Sequence, residues 1–436
     1  MRRVVALLVV GAVAALAAPA AAFGHAVLMG ASPATQSQVA VPPSEVVLRF
    51  NQGVTATPRS IEVLAADGSV LSAAARLEAD GRRVVASVSG LARGSAYTVR
   101  WRVIGRDGHS PAGVYTFGIG VAPPPPTEAF GARGTTWRDD VARWLLFASL
   151  AFVLGPLALR LLVLRGPVPP PLERRFHLVT TVAAMAVINV GIAVFVVRAS
   201  NALQLPFGDL LYGDLQPFAE KTRFGVAFLV MTVGFGVVAT LLMLAWIFDV
   251  AGPRWLALGL SALLVSGLSL AGHQGTEPNA SWASELADWL HLVAACVWVG
   301  GVATLALLVW PVAPSLRARA FVGFSRIAVG LVAAMVLAGA YLALQRLPSL
   351  SDLWETDYGR VLAVKLGVVG LALAWGGFHH TFVRPRLEAG QGVRARPSLV
   401  GETVVALTVL LAAAVLTNVS PPPVDSGSTP AAVGPG

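Results

Sequence analysis

"ELADWLHLVAACVWVGG", residues 285–301, decides the fold class. After Glu285 only Asp288 and His291 interrupt an apolar run that continues to about residue 310. A helix needs about 20 such residues to cross the hydrocarbon layer of a bilayer. This stretch therefore reads as a membrane-spanning helix with two ionisable side chains near its start.

The whole chain agrees with that reading. Of 436 residues, 56% are apolar and only 13% charged, where a soluble domain carries about 25% charged residues. Mean hydropathy is +0.71. Similar runs predict about eight spanning helices, over 140–164, 177–198, 223–248, 255–272, 285–310, 322–344, 359–380 and 399–418. The formal charge of +9 is almost all arginine, since Lys221 and Lys365 are the only lysines. In a membrane protein such an excess marks cytoplasmic loops, so no nucleic-acid partner is expected.

Topology can be read from where the arginines fall. The segments after spans one, three, five and seven hold Arg165, Arg174 and Arg175; Arg254; Arg317 and Arg319; and Arg384, Arg386, Arg394 and Arg396. The segment 273–284 and the tail from 419 hold no Lys or Arg. This alternation predicts that both the region before span one and the C-terminal tail are extracytoplasmic.

The region before span one has a different texture. Arg2 and Arg3, the apolar run Val4–Ala18, and small residues at Ala22 and Gly24 read as a signal peptide over 1–24, cleaved after Gly24. Residues 25–120 then alternate in the period-2 manner of strands, in "SEVVLRF", "SIEVLA", "RRVVASV" and "AYTVRWRVIG". Pro42-Pro43, Asp67-Gly68, Asp80-Gly81, Arg93-Gly94 and Asp107-Gly108 supply turns between them. A small all-β sandwich or barrel is expected. A proline-rich linker over 121–137 joins it to the helical domain, 138–420, and a Pro/Gly/Ser tail over 421–436 is expected to be disordered. Cys296 is the only cysteine, so neither domain has an internal disulfide. No G-x-x-x-x-G-K-[ST] phosphate loop occurs, so the chain itself is not read as an ATP-driven pump.

Cleavage after Gly24 makes His25 the first mature residue, with its α-amine and imidazole free to chelate one metal. His109 is the β-domain's other histidine, and Asp107 lies two residues before it. An amine, two imidazoles and a carboxylate form a tetragonal N/O set that suits Cu(II), then Ni(II), and that zinc tolerates. Met29 is the mature domain's only methionine, so a Cu(I) site there is not expected.

In the helical domain each ionisable residue at membrane depth is a functional candidate. His273 and His291 end and begin neighbouring antiparallel spans, with Asp288 three residues before His291 on nearly the same face. They form a candidate transmembrane entry site. Lys365 reaches similar depth on span seven, either to pair with Asp288 or to snorkel outward. His379 and His380 lie about 30 Å farther along that span than its start, so they cannot share a site with His291. With Glu402 and His177 they form a candidate inner cluster. Two histidines on adjacent helices would equally suit a haem b in a membrane redox protein, with His273 and His291 as axial ligands.

"HAVLMGASPA", "PPSEVVLRFNQGV" and "YTVRWRVIGRDGHSPAGVYTFGIG" resemble the bacterial copper-binding protein CopC. "WLHLVAACVWVGG", "YGRVLAVKLGVV" and "GETVVALTVLLAAAVLT" resemble the membrane protein CopD. The family's usual asparagine-arginine near the end of span seven stands here as His379-His380. The resemblance implies a Greek-key β-barrel whose Cu(II) ligands are His25, Asp107 and His109, fused to a multi-helix bundle of the bacterial cytoplasmic membrane. It further implies copper uptake and homeostasis, with Cu(I) in the membrane path, other copper-handling proteins as partners, and no enzymatic activity. A copper buffer or sensor without transport is the remaining alternative.

Overall fold

The computed structural model describes residues 26, 28–78, 80–105, 110–123, 137–203, 223–271, 281–347, 349–417 and 419. The expected signal peptide and tail, most of the linker, and the candidate ligands His25, Asp107, His109 and His273 lie outside the described residues.

The N-terminal part folds as two four-stranded sheets over one apolar core. β1 (Leu28–Ser32), β3 (Glu45–Phe50), β7 (Arg83–Ser87) and β6 (Arg76–Leu77) form the first, in the order β1-β3-β7-β6. β2 (Gln38–Val39), β10 (Ala112–Ile119), β8 (Ser95–Arg102) and β5 (Ile61–Leu64) form the second, in the order β2-β10-β8-β5. β4 (Val54–Thr55) and β9 (Ile104–Gly105) make a two-stranded ribbon. Every run that alternates in sequence is a strand here, because its apolar residues face the core: Val46, Leu48, Val63, Val84 and Val99 have no exposed surface. The turns use the expected chemistry. Asp67 Oδ1 accepts from the Ser69 N–H and hydroxyl at 2.9 and 2.7 Å, bonds that hold its carboxyl below the usual carboxylate range. Gly68 beside it takes φ +84°, a region L-residues avoid.

The C-terminal part is helical. Its elements are α1 (Trp137–Ala158), α2 (Pro170–Leu203), α3 (Arg223–Ile247), α4 (Gly252–Leu264), α5 (Ser266–Ala271), α6 (Trp282–Thr304), α7 (Arg317–Arg346), α8 (Asp357–Phe378) and α9 (Arg396–Leu416). Seven helical segments among the described residues are long and apolar enough to cross a membrane. The fourth expected span is the exception: Gly252–Leu268 is shorter, and the helix is interrupted at Val265 between α4 and α5. α1 and α6 are central, with most of their residues buried, whereas α7 and α8 bury few of theirs. α1 and α6 touch backbone to backbone. A Cβ placed on Gly300 would lie 1.9 Å from the Ala151 carbonyl oxygen, and one on Gly155 would lie 2.2 Å from Gly300 C. Small residues allow this approach, the usual basis of tight helix contacts in membranes.

The arginine-bearing loops gather at one end of the bundle. Glu173, at the start of α2, pairs with Arg160 at 2.8 Å and with Arg254, at the start of α4, at 2.5 Å. Arg319 of α7 donates to the Arg165 carbonyl at 2.5 Å. Three π-helical turns follow α1, α6 and α8, over Leu159–Val163, Leu305–Val309 and His379–Val383.

Candidate functional site

In the β-domain the three expected metal ligands lie outside the described residues, and the strands nearest to them in sequence are described. β1 begins at Leu28, three residues after His25, and pairs there with Phe50. Ala26 is buried in the core. The Val103 N–H donates to the Pro111 carbonyl at 3.1 Å, and Arg102 lies opposite Ala112. Trp101 stands opposite Gly113 on β10, and a Cβ at Gly113 would lie 2.6 Å from the Trp101 indole nitrogen. The same indole meets the Phe50 ring edge-on, at 5.5 Å between centroids. Leu28, Phe50, Trp101 and Gly113 thus join the start of β1 to β8 and β10 across the two sheets. Met29 is 62% exposed and supplies no buried soft atom.

In the bundle, His291 packs against α7. Its Nδ1 donates to the Met335 carbonyl at 3.0 Å, which leaves Nε2 with the ring's lone pair. Gly339 makes room for the ring: a Cβ there would lie 3.1 Å from His291 Cε1. Lys365 on α8 lies within electrostatic reach of His291 and Asp288. Cys296 is buried, one and a half turns further along α6.

At the arginine-rich end the structure brings two of the four inner-cluster residues together. His379 Nδ1 lies 2.6 Å from Glu402 Oε2, and both side chains are about 5% exposed. His379 Nε2 lies 2.8 Å from Ser398 Oγ, and the Trp375 indole N–H donates to that same oxygen at 3.0 Å. Both ring nitrogens of His379 are thus engaged, Nδ1 with Glu402 and Nε2 with Ser398. His379 therefore has no free nitrogen to offer a metal. His380 turns the other way, with Nδ1 3.1 Å from Ser325 Oγ. His177 does not join them; it stacks on Trp246, with centroids 4.4 Å apart. No group of three or more His, Cys, Asp or Glu among the described residues could hold a metal ion. His379, His380 and Glu402 line a cavity of about 270 Å³, walled by Trp298, Phe321 and Phe324. Ser325, Trp375 and Ser398 were not read as site residues; nothing in their local sequence separates them from ordinary helix positions.

The comparisons with known proteins accord with both halves. Residues 28–120 match the CopC domain, residues 136–280 the copper resistance protein D-like N-terminal domain, and residues 318–416 copper resistance protein D. The chain is thus a multi-pass membrane protein that joins a CopC domain to a copper resistance protein D membrane part. Among individual proteins, it is 26% identical to the copper transport protein CutJ of Bacillus subtilis over 93% of this chain and 76% of that one. The protein YobA of Escherichia coli is 28% identical over 22% of this chain and 80% of its own length. The crystal structure of CopC from Methylosinus trichosporium OB3b is 33% identical, with a TM-score of 0.20, and covers 24% of this chain and 100% of that one.

Proposed function

We propose that this protein captures Cu(II) outside the bacterial cytoplasmic membrane and conducts copper inward through its helical bundle. The observation that supports this reading most is the Phe50–Trp101 contact, which ties the start of β1 to β8 and β10, the described strands nearest in sequence to the three candidate ligands. In this reading His25, Asp107 and His109 together supply a hard N/O set suited to Cu(II). The full-length likeness to a protein named for copper transport supports the transport role. The arginine-rich end is the cytoplasmic one in this reading, which puts the β-domain and the C-terminal tail outside.

Copper passes from the outer domain to an entry site made by His273, His291 and Asp288. His291 presents its Nε2 lone pair there, because its Nδ1 proton is committed to the Met335 carbonyl. The experiment has two arms on protein whose mature N-terminus is confirmed by mass. Cu(II) EPR on the intact protein is expected to report a tetragonal nitrogen-rich site, and deletion of residues 25–120 is expected to abolish it. Uptake of labelled copper into vesicles is expected in the intact protein and not in His291→Ala. A bundle that retains the EPR signal alone overturns the capture role, and unchanged uptake in His291→Ala overturns the entry role.

A further inference from the structure

The cavity beside His379 and Glu402 carries a second, separate site. Its polar end is Glu402. One carboxyl oxygen, Oε2, is bonded to His379 Nδ1; the other, Oε1, has no hydrogen-bond partner among the described residues and lies beside Gly376, which lines the cavity with it. A carboxyl oxygen that faces a cavity without a partner suits a hydrogen-bond donor placed in that space. A second polar spot on the lining is the Ser325–His380 pair. Between the two spots the walls are aromatic and apolar: Trp298, Phe321, Phe324 and Val332.

The mouth adds a further restriction. α7 packs on α6 and α8 packs on α9, so the cavity lies between two helices that bury few of their residues. Val329, 57% exposed, and Leu373, 38% exposed, line it on that side. Apolar residues exposed on spanning helices face lipid, so the occupant enters from the bilayer. The turn that presents His379 is π-helical, as is the turn that contributes Leu305, and single π turns in otherwise regular helices recur at ligand sites. A volume of about 270 Å³ is at the lower limit for small-molecule sites, enough for one substituted ring rather than a haem or a whole lipid.

We propose that this cavity binds the headgroup of a membrane hydroquinone. One ring hydroxyl donates to Glu402 Oε1, the ring lies against Trp298, Phe321 and Phe324, and the isoprenoid tail leaves between α7 and α8. A phospholipid acyl chain would fill the same walls and leave the carboxylate oxygen unsatisfied, which is why a hydroxyl-bearing ring is the better occupant. The inference is independent of the copper reading.

The test uses the full chain in lipid nanodiscs, with empty nanodiscs as the blank and labelled decylubiquinol, a short-tailed hydroquinone, as the probe. Binding is expected to saturate at about one per chain. In Glu402→Gln one of the two acceptor oxygens becomes an N–H₂, so binding weakens about tenfold, the loss of one hydrogen bond. The dimethyl ether of the probe, which has no hydroxyl to donate, is expected to bind about tenfold more weakly to the unaltered protein and to be indifferent to Glu402→Gln. Ala328→Trp, which fills the cavity, is expected to abolish saturable binding. Uptake that never saturates, equal binding of probe and ether, or equal competition by added phosphatidylglycerol overturns the proposal. The ether comparison needs no variant, so a folding defect in Ala328→Trp cannot rescue or sink it.

Discussion

Replacing Gly300 by alanine adds one methyl group at the point where the two central helices touch. The new Cβ would lie 1.9 Å from the Ala151 carbonyl oxygen, 2.7 Å from Ala151 C and 2.9 Å from Gly155 Cα. All three obstacles are backbone, so no side chain can rotate away. α1 and α6 must part by about 1.5 Å before the contact becomes an ordinary one of about 3.5 Å. Overpacking of this kind costs about 1–3 kcal/mol, and a backbone obstacle places the cost near the upper figure. At roughly 2–4 °C per kcal/mol for a body of this size, thermal unfolding followed by tryptophan fluorescence should fall by roughly 6–10 °C. Gly155→Ala meets the same crossing from the other side, its Cβ 2.2 Å from Gly300 C, and should fall by a similar amount. The double variant should lose less than the two losses together, because one separation of the helices accommodates both methyl groups. Gly236→Ala on α3 is the control: nothing lies within 4 Å of its added Cβ, so no loss is expected. An unchanged midpoint in Gly300→Ala, or strict additivity in the pair, would refute this account of the crossing.

Three further outcomes follow from the packing. Gly339→Leu should push the His291 ring off the Met335 carbonyl, since even a Cβ there reaches to 3.1 Å; vesicle copper uptake should fall while the outer Cu(II) EPR signal stays, and unchanged uptake counts against His291. Glu173→Gln should lower stability by about 1–3 kcal/mol, read as a lower unfolding midpoint, because two mostly buried guanidiniums lose one shared counter-charge. Tyr115 is buried in the β-domain core, its hydroxyl has no partner among the described residues, and burial pushes its phenol up. The unfolded chain therefore loses this proton first, and stability should decline as pH rises past about 10, the ordinary phenol value. Tyr115→Phe should remove that component of the decline and cost nothing at neutral pH, a difference visible in unfolding midpoints compared across alkaline buffers.

The spans were legible because each depends on local hydropathy alone, and the strands "SEVVLRF" and "RRVVASV" because alternation is local too. Where long-range packing decides, the sequence is mute. β10 hides its period behind Gly113 and Gly118, and Gly113 is there because the Trp101 ring occupies the space a side chain would need. The break at Val265 lies inside an unbroken apolar run. His379 and Glu402 stood out as ionisable residues in apolar helices, but their 2.6 Å contact depends on how α8 packs against α9. His177 stood out for the same reason and packs on Trp246 instead. Ser398, which bonds His379 Nε2, and Trp375, which donates to Ser398, carry no sequence signal, because a serine or tryptophan in a spanning helix is unremarkable until its partner is known.

The arginines carry more than topology. A helix ends with carbonyls that have no partner within it, and water satisfies them poorly at a membrane boundary. At the arginine-rich end guanidiniums do so instead. Arg160 donates to the Leu164 carbonyl at 2.7 Å, Arg165 to Leu162 at 3.1 Å, and Arg386 to Phe382 at 3.1 Å. Arg317 donates twice to the Trp310 carbonyl. Leu162, Leu164 and Trp310 lie in the closing turns after α1 and α6, Phe382 lies in the π-helical turn after α8, and all four carbonyls are within or next to π-helical segments. Arginine suits the task better than lysine, because its planar fork keeps a second donor for Glu173 or for a neighbouring carbonyl after the first is used. The near absence of lysine from this chain is consistent with that demand. The arginines that mark one end of the bundle thus also satisfy helix carbonyls there.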